Sequence, residues 1–302
     1  MLRTCSTNRP RMRAMPSTAT PAMRSASEFL KVDEHTIPLS NSLAIRIYSD
    51  TRPHNLYLAN LQKGLVLIYK DVERVGEGTG FGLPVLQYSN GLYFSRSSEV
   101  FLFELNGVKA IRKEFLMDTV QRKKIRKVNL ENRRVRATFE YVEELYRRHQ
   151  NLRILSLKKA SGMMGLKTNF AEIKPMGKVS VTYTLGQGDI RVKADLCHVR
   201  RECLKRVFML NEQGSQNFTR YSDSSGRKLI GRRIGAWEIV DANEASITDL
   251  HGRIGFRLHG LENGIMRRGR EYLKGRLDWI GLDYEIDPSR SAFEYGIEIL
   301  GR

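Results

Sequence analysis

Cysteine, tryptophan and histidine are scarce in this chain, with 3, 2 and 6 among 302 residues. Three cysteines cannot build the disulfide framework of a small secreted domain. Cys5 stands apart, while Cys197 and Cys203 bracket His198 in a C-H-x4-C spacing without a second ligand pair. A zinc centre of the usual kind needs more ligands, so no metal is expected. No stretch approaches the roughly 20 consecutive apolar residues of a membrane helix. Also missing are G-x-S-x-G, H-E-x-x-H, an EF-hand loop, a P-loop and a strand–G-x-G-x-x-G–helix unit. These gaps remove the commonest hydrolase, metalloprotease and nucleotide-binding signatures, and no cofactor is expected.

Acidic residues are absent from positions 1–27, which hold Arg3, Arg9, Arg11, Arg13 and Arg24. The segment has no apolar h-region, which argues against a secretory signal. A transit peptide, a disordered tail and an over-long start (Met12, Met15 and Met23 follow) all fit it, and the expected location is the cytoplasm. Residues 109–159 carry sixteen Lys/Arg against six Asp/Glu. These two segments supply +15 of the formal +18 charge, so the rest is near neutral. Such asymmetry points to an anionic partner, nucleic acid or an acidic glycan; a solvated basic face has the same statistics.

What is present is a succession of strands. Ala44–Tyr48 and Gly64–Lys70 are short β-branched runs. Asn90-Gly91 lies between Val85–Tyr88 and Leu92–Ser95, and Asn106-Gly107 between Val100–Leu105 and Val108–Phe115, predicting two tight hairpins. Val120–Val128 and Arg133–Thr138 read as basic strands. Phe139, Val142, Leu145 and Tyr146 recur at helical spacing with Glu143→Arg147 and Glu144→Arg148 pairs, so one helix is expected near 139–150. Val179, Val181, Tyr183 and Leu185, then Ile190, Val192, Ala194 and Leu196, alternate about Gly186–Asp189 and predict a hairpin with one buried face. Val207–Asn211, Trp237–Val240, Ile254–His259, Leu282–Ile286 and Phe293–Ile299 complete the set. The predicted fold is mainly β, antiparallel strands in a large two-layer sandwich. It divides into a tail (1–27), a β region ending in the helix (28–150), a connection (151–178) and a C-terminal sandwich region (179–302).

Gly76-Glu77-Gly78-Thr79-Gly80-Phe81-Gly82-Leu83 resembles the glycine-rich lid of histidine-kinase-type ATPases. That family also needs an upstream helix with Glu and Asn and a D-x-G-x-G, which residues 28–75 lack. A glycine-rich β loop near an opening, able to present N–H groups, is the alternative. On Ile254–His259, His259 shares parity with His251, Arg253 and Arg257, opposite Ile254, Phe256 and Leu258. One strand would then show two imidazoles and two guanidinia on its polar face. Leu210-Asn211-Glu212-Gln213-Gly214 reads as the end of a strand opening a polar loop to Gly226. There Glu212, Arg220 and Asp223 offer donors and acceptors with Phe218 and Tyr221 interleaved, a mixture that suits sugars. Trp237 stands beside Glu238, an aromatic face next to a carboxylate.

The Val179–Leu196 hairpin, the L-N-E-Q-G segment and the closing L-D-Y-E-I and F-E-Y-G-I-E-I strands resemble the β supersandwich of galactose-mutarotase-like proteins. That resemblance implies a sugar held on a concave sheet with a His and a carboxylate as acid and base, for which Glu212, His251 and His259 are the candidates. Arg253, Arg257, Arg220, Asp223 and Trp237 are the candidate ligand-binding residues. The expected function is carbohydrate binding or modification, with an acidic glycan as one form of the ligand. The alternatives are weak, non-specific nucleic-acid binding through Lys124, Arg126, Arg134 and Arg136, or a non-catalytic interaction protein.

Overall fold

The computed structural model describes residues 29–53, 60–89, 91–119, 124–125, 168–169, 175–186, 188–260, 264–273 and 277–301. The strands of the first half are β1 (Leu30–Val32), β2 (Glu34–Pro38), β3 (Leu43–Tyr48), β4 (Arg52–Pro53), β5 (Asn60–Leu61), β6 (Val66–Tyr69), β7 (Val72–Glu73), β8 (Gly80–Tyr88), β9 (Gly91–Leu105), β10 (Val108–Thr119) and β11 (Lys124–Ile125). Those of the second half are β12 (Thr168–Asn169), β13 (Lys178–Leu185), β14 (Asp189–Asp195), β15 (Leu204–Gly214), β16 (Arg220–Asp223), β17 (Lys228–Ile230), β18 (Glu238–Ile239), β19 (Ala245–Thr248), β20 (Ile254–His259), β21 (Gly264–Leu273), β22 (Leu277–Ile286) and β23 (Ala292–Gly301). One 3-10 turn, Gly231–Ile234, is the only helical element among the described residues. The helix expected at 139–150 lies outside them.

Local chemistry sets the hairpins. Leu105 pairs with Val108, leaving Asn106 and Gly107 as the two-residue link at φ 54° and 79°. Both angles are the positive ones a primed turn needs, and Asn-Gly is the pair that tolerates them. At the other expected hairpin Tyr88 pairs with Gly91, so the link is one residue earlier and Gly91 opens the strand. The expected breaks between Leu92–Ser95 and Val100–Leu105 also vanish. Both runs lie on β9, which absorbs Arg96 as a bulge because Leu116 faces Ser97 and Met117 faces Ser95.

Most strands join one sheet, in the order β17-β16-β19-β20-β23-β14-β13-β10-β9-β8-β15-β22-β21-β18. The first-half strands β10, β9 and β8 form its centre, flanked on both sides by strands of the second half, since β10 pairs with β13 and β8 with β15. The sheet folds over at β9, whose start pairs with β8 and whose remainder pairs with β10. Two layers then face each other. Phe81 on β8 meets Phe256 on β20 edge-on at 5.0 Å, and Tyr284 on β22 meets Tyr295 on β23 at 4.9 Å. A four-stranded sheet, β2-β3-β6-β7, extends the second layer through Leu65, which exchanges hydrogen bonds of 2.9 and 2.8 Å with Phe81.

The alternation predicted for β13 and β14 holds: Val179, Val181, Tyr183, Ile190, Val192 and Ala194 are all buried. Each such side chain contributes roughly 1.5–3 kcal/mol when fully buried. A one-residue slip would turn every one of them to the other face, so the register is strongly held. The core also contains polar cross-links. Asn211 Oδ1 accepts from Tyr295 Oη at 2.9 Å and from the Gly82 amide at 3.0 Å, while Asp283 Oδ1 accepts from the Asn211 amide at 2.9 Å. Gly82 is the bulge residue of β8, at φ 79°, and a Cβ there would meet the Tyr183 hydroxyl at 2.8 Å.

Candidate functional site

The same alternation that buries Ile190, Val192 and Ala194 turns Asp189, Arg191, Lys193 and Asp195 of β14 away from the core. Their neighbours do likewise: Ser180, Thr182 and Thr184 on β13, Arg112 on β10, Glu294 and Glu298 on β23, and Arg257 and His259 on β20. The outer face of β10-β13-β14-β23-β20 is therefore largely polar, while β9 and the start of β10 add Phe103, Leu105 and Val108. It is hollowed by a groove of about 670 Å³ that reaches Phe29 and Phe103 at one end. A second hollow of about 370 Å³ continues it past His259 and Arg290, sharing Asp189, Arg191 and Glu294.

Backbone register places the key groups. His259 faces Gly296, Gly296 faces Arg191, and Arg191 faces Thr184. A Cβ on Gly296 would collide with the imidazole. The glycine is thus a seat that lets the ring lie across β23 toward β14. There His259 Nε2 lies 3.3 Å from Asp189 Oδ1, a contact that orients the imidazole. Arg191 Nε lies 3.1 Å from Glu294 Oε1. Arg112 is 3.1 Å from Glu114 and donates to Ser180 Oγ at 3.3 Å. Partial burial works to raise the Asp195 carboxyl, but hydrogen bonds from Cys197 outweigh it and hold the group below its ordinary value. The arrangement offers fixed donors and acceptors, a carboxylate–imidazole pair able to pass a proton, and an aromatic end where Phe29, half exposed, stacks on Phe103 at 4.8 Å.

The expected residues divide between separate places. His259 lines the groove; Arg257, on the same face, is bound 2.8 Å from Glu298. His251 and Arg253 do not share their strand, which corrects the parity argument. Asp249 Oδ1 accepts from the amides of Arg253 and Ile254 at 2.6 and 3.3 Å, closing a turn with Gly252 at φ 68°, and β20 starts only at Ile254. The expected polar loop from Asn211 is a second correction. L-N-E-Q-G completes β15 and is buried except for Leu210, because Asn211 serves the core cross-link. Glu212 faces outward from the other layer, away from His259. Its Cγ and Trp237 Cη2 both approach the Cβ position of Gly281, at 2.9 and 3.0 Å, so Glu212 and Trp237 are neighbours of each other. Arg220 donates to the Leu250 carbonyl at 3.1 Å, and Asp223 accepts from Tyr221 Oη at 2.6 Å and from the Ser225 and Arg227 amides in the turn after β16. Lys124 pairs through its backbone with Asn169; Arg126, Arg134 and Arg136 lie outside the described residues.

The glycine-rich segment turns its backbone inward. Lys63 Nζ donates to the carbonyls of Gly76 and Gly78 at 2.8 and 2.9 Å, the Gly78 amide donates to Val75, and the Phe81 amide to Leu65. Those amides are committed to the fold rather than presented at an opening. Among the described residues, no group of three or more His, Cys, Asp or Glu is placed to hold a metal ion. No helix of the described residues is long and apolar enough to cross a membrane.

The row of groove charges on β14 is marked by the sequence itself. In Asp-Ile-Arg-Val-Lys-Ala-Asp, the apolar residues that mark the buried face also mark 189, 191, 193 and 195 as a row of charges on the opposite one.

No family model matches the sequence, and no curated protein matches it. Among solved structures, an alpha-N-acetylgalactosaminidase of Bifidobacterium bifidum in complex with GalNAc aligns at 9% identity and TM-score 0.46, over 88% of this chain. The chain spans 36% of that enzyme's length. The Slr1438 protein of Synechocystis sp. PCC 6803 aligns at 6% identity and TM-score 0.37, covering 95% of this chain and 100% of that one. A galactose mutarotase-like protein of Lactobacillus casei aligns at 9% identity and TM-score 0.38, covering 88% and 99%. Two of the three are carbohydrate-related by name. The likeness is one of coarse β architecture.

Proposed function

We propose that the protein binds a carbohydrate in the groove across β9, β10, β13, β14, β23 and β20. One observation carries this reading: two adjoining hollows that share Asp189, Arg191 and Glu294 bring together the His259–Asp189 and Arg191–Glu294 pairs, the Thr182 and Thr184 hydroxyls and the Phe29–Phe103 aromatic end. Sugar hydroxyls donate and accept at fixed angles, which planar carboxylates and guanidinia match in pairs. The C–H faces of a pyranose pack on aromatic rings. A groove open to solvent, with few apolar walls beyond its aromatic end, suits a hydrated ligand.

The test is a titration of neutral mono- and disaccharides followed by amide NMR shifts, with Glu294→Gln and Asp189→Asn as variants. Shifts clustered on β14 and β23, with affinity reduced at least tenfold in either variant, are the expected result. Absence of any response across the sugars, or shifts confined to the Glu212–Trp237 face, would overturn the assignment to this groove.

A further inference from the structure

Charge balance and length narrow the ligand further, and the argument rests on the carbohydrate reading just given. The first hollow sets Arg112, Arg191 and Lys193 against Asp189, Asp195 and Glu294. The second sets Arg191 and Arg290 against Asp189 and Glu294, and Arg290 also acts on Asp287. Several of these charges are held in place. Arg191 lies 3.1 Å from Glu294, Arg112 lies 3.1 Å from Glu114, and Asp195 Oδ1 accepts from the Cys197 amide at 2.8 Å. A wall with both signs in equal number projects little net field, so an ionised ligand gains nothing there over an uncharged one. What the wall does present is donors beside acceptors, and a sugar hydroxyl serves as either.

The geometry also sets a length. The hollows share Asp189, Arg191 and Glu294 and so form one run. From Phe103 on β9 to His259 on β20 that run crosses six neighbouring strands, or five spacings of about 4.8 Å, so its floor measures about 24 Å along the sheet. A single sugar ring fills only part of it. The two ends differ: Phe29, half exposed, stacks on Phe103 at one, and the His259–Asp189 pair stands at the other. A ligand that meets both is a chain. It is not an added peptide strand, because β10, β13, β14 and β23 are paired on both sides and their backbone groups are committed to the sheet. Recognition falls to the side chains, including the Thr182 and Thr184 hydroxyls midway along the run.

We propose that the ligand is a neutral oligosaccharide laid across the strands. One unit packs on Phe29 and Phe103, and another lies between the Arg191–Glu294 and His259–Asp189 pairs, with the chain passing over Thr182 and Thr184. The excess of Lys and Arg in residues 109–159 does not reach this surface as net charge, since Arg112 there is balanced by Glu114.

The experiment is calorimetry on the full chain with unbranched gluco-, manno-, galacto- and xylo-oligosaccharides, from the single sugar to the hexamer, and with oligogalacturonates of the same lengths. In at least one neutral series affinity is expected to rise at least tenfold from the single sugar to the tetramer and then level off, because each added unit binds as part of a molecule already held. Raising the salt should leave that affinity unchanged, and the galacturonates should bind no more tightly than the neutral chain. Phe29→Ala, at a half-exposed position, should lose most of the gain with length, and Phe29→Trp should keep it. Affinity that is flat with length, an acidic chain that binds more tightly and weakens with salt, or a Phe29→Ala protein that keeps the full gain would each overturn this inference and leave the carbohydrate reading standing. No binding of any sugar at any length would overturn both.

Discussion

Lys113 and Lys63 are linked head to backbone in the interior. Lys113 Nζ donates to the Lys63 carbonyl at 2.7 Å and the Tyr48 carbonyl at 2.5 Å, and Lys63 Nζ in turn holds the carbonyls of Gly76 and Gly78. Two acceptors per nitrogen match the two protons of a neutral amine. The chain of contacts fastens the four-stranded sheet and the glycine-rich turn to β10.

These lysines make stability depend on pH. Burial holds Lys113 down to about 7 and Lys63 down to about 8, from an ordinary value of 10.5. Between about pH 7 and 10.5 the unfolded chain therefore binds more protons than the folded one, and stability rises with pH across that window. Urea unfolding midpoints at pH 7 and 9.5 should show the rise. Lys113→Met should flatten it, while costing about 1–3 kcal/mol overall because two buried carbonyls lose their donor. Parallel pH slopes in the two proteins would count against a neutral, buried Lys113.

The Asn106-Gly107 turn should be sensitive to backbone strain alone. A Cβ at Gly107 meets nothing within 4 Å, yet the residue sits at φ 79°. Gly107→Val should destabilise by about 1–3 kcal/mol, whereas Gly107→Asn should cost much less because asparagine tolerates this region. Equal losses in both variants, read by thermal unfolding, would point to a steric cause instead.

The Asn211 cross-link should show strong coupling. Asn211→Leu strands the Gly82 amide and the Tyr295 hydroxyl, at about 1–3 kcal/mol for each unsatisfied group. Tyr295→Phe removes one of those donors, so the double variant should be more stable than the sum of the single losses predicts. A double-mutant cycle showing additivity would mean that the two side chains do not depend on each other.

The basic stretch carries a separate expectation. If Lys124, Arg126, Arg134 and Arg136 meet four phosphates, binding of single- or double-stranded nucleic acid should fall with a log–log salt slope of about −3 to −4. Fluorescence anisotropy at low salt should detect weak, sequence-independent binding, lost near physiological ionic strength and reduced by joint Arg134→Ala and Arg136→Ala. Tight binding that persists at physiological salt and disappears in the double variant would favour a nucleic-acid function over the groove.

The layers were legible because period-two alternation is a local property. Val179–Leu196 shows it without help from distant residues, and Asn106-Gly107 marks its own turn. Which faces end up together is not local. His259 meets Asp189, seventy residues away in sequence, only because β20 and β14 both pair with β23 and the ring reaches across it. Glu212 was misplaced for the opposite reason. Asn, Glu, Gln and Gly are the composition of a loop, and nothing nearby reveals that Asn211 bonds to Tyr295 across the core. His251 was lost to the carboxylate of Asp249, whose capping of two amides ends the turn just before Ile254.

The position of β23 bears on how the molecule is made. Ala292–Gly301 enters between β20 and β14, strands that emerge from the ribosome well before it. Until it arrives, both carry unpaired edges, which are templates for pairing with other chains. Pairing so distant in sequence closes slowly, and synthesis at about 5–20 residues per second gives the exposed intermediate time to stray. The groove is unfinished over the same interval, because Glu294 and the glycine seat of His259 arrive with that strand. Yield of native protein should therefore depend on chaperone supply until this strand has been made, and nonsense truncations just before Ala292 should aggregate rather than persist as a partial fold.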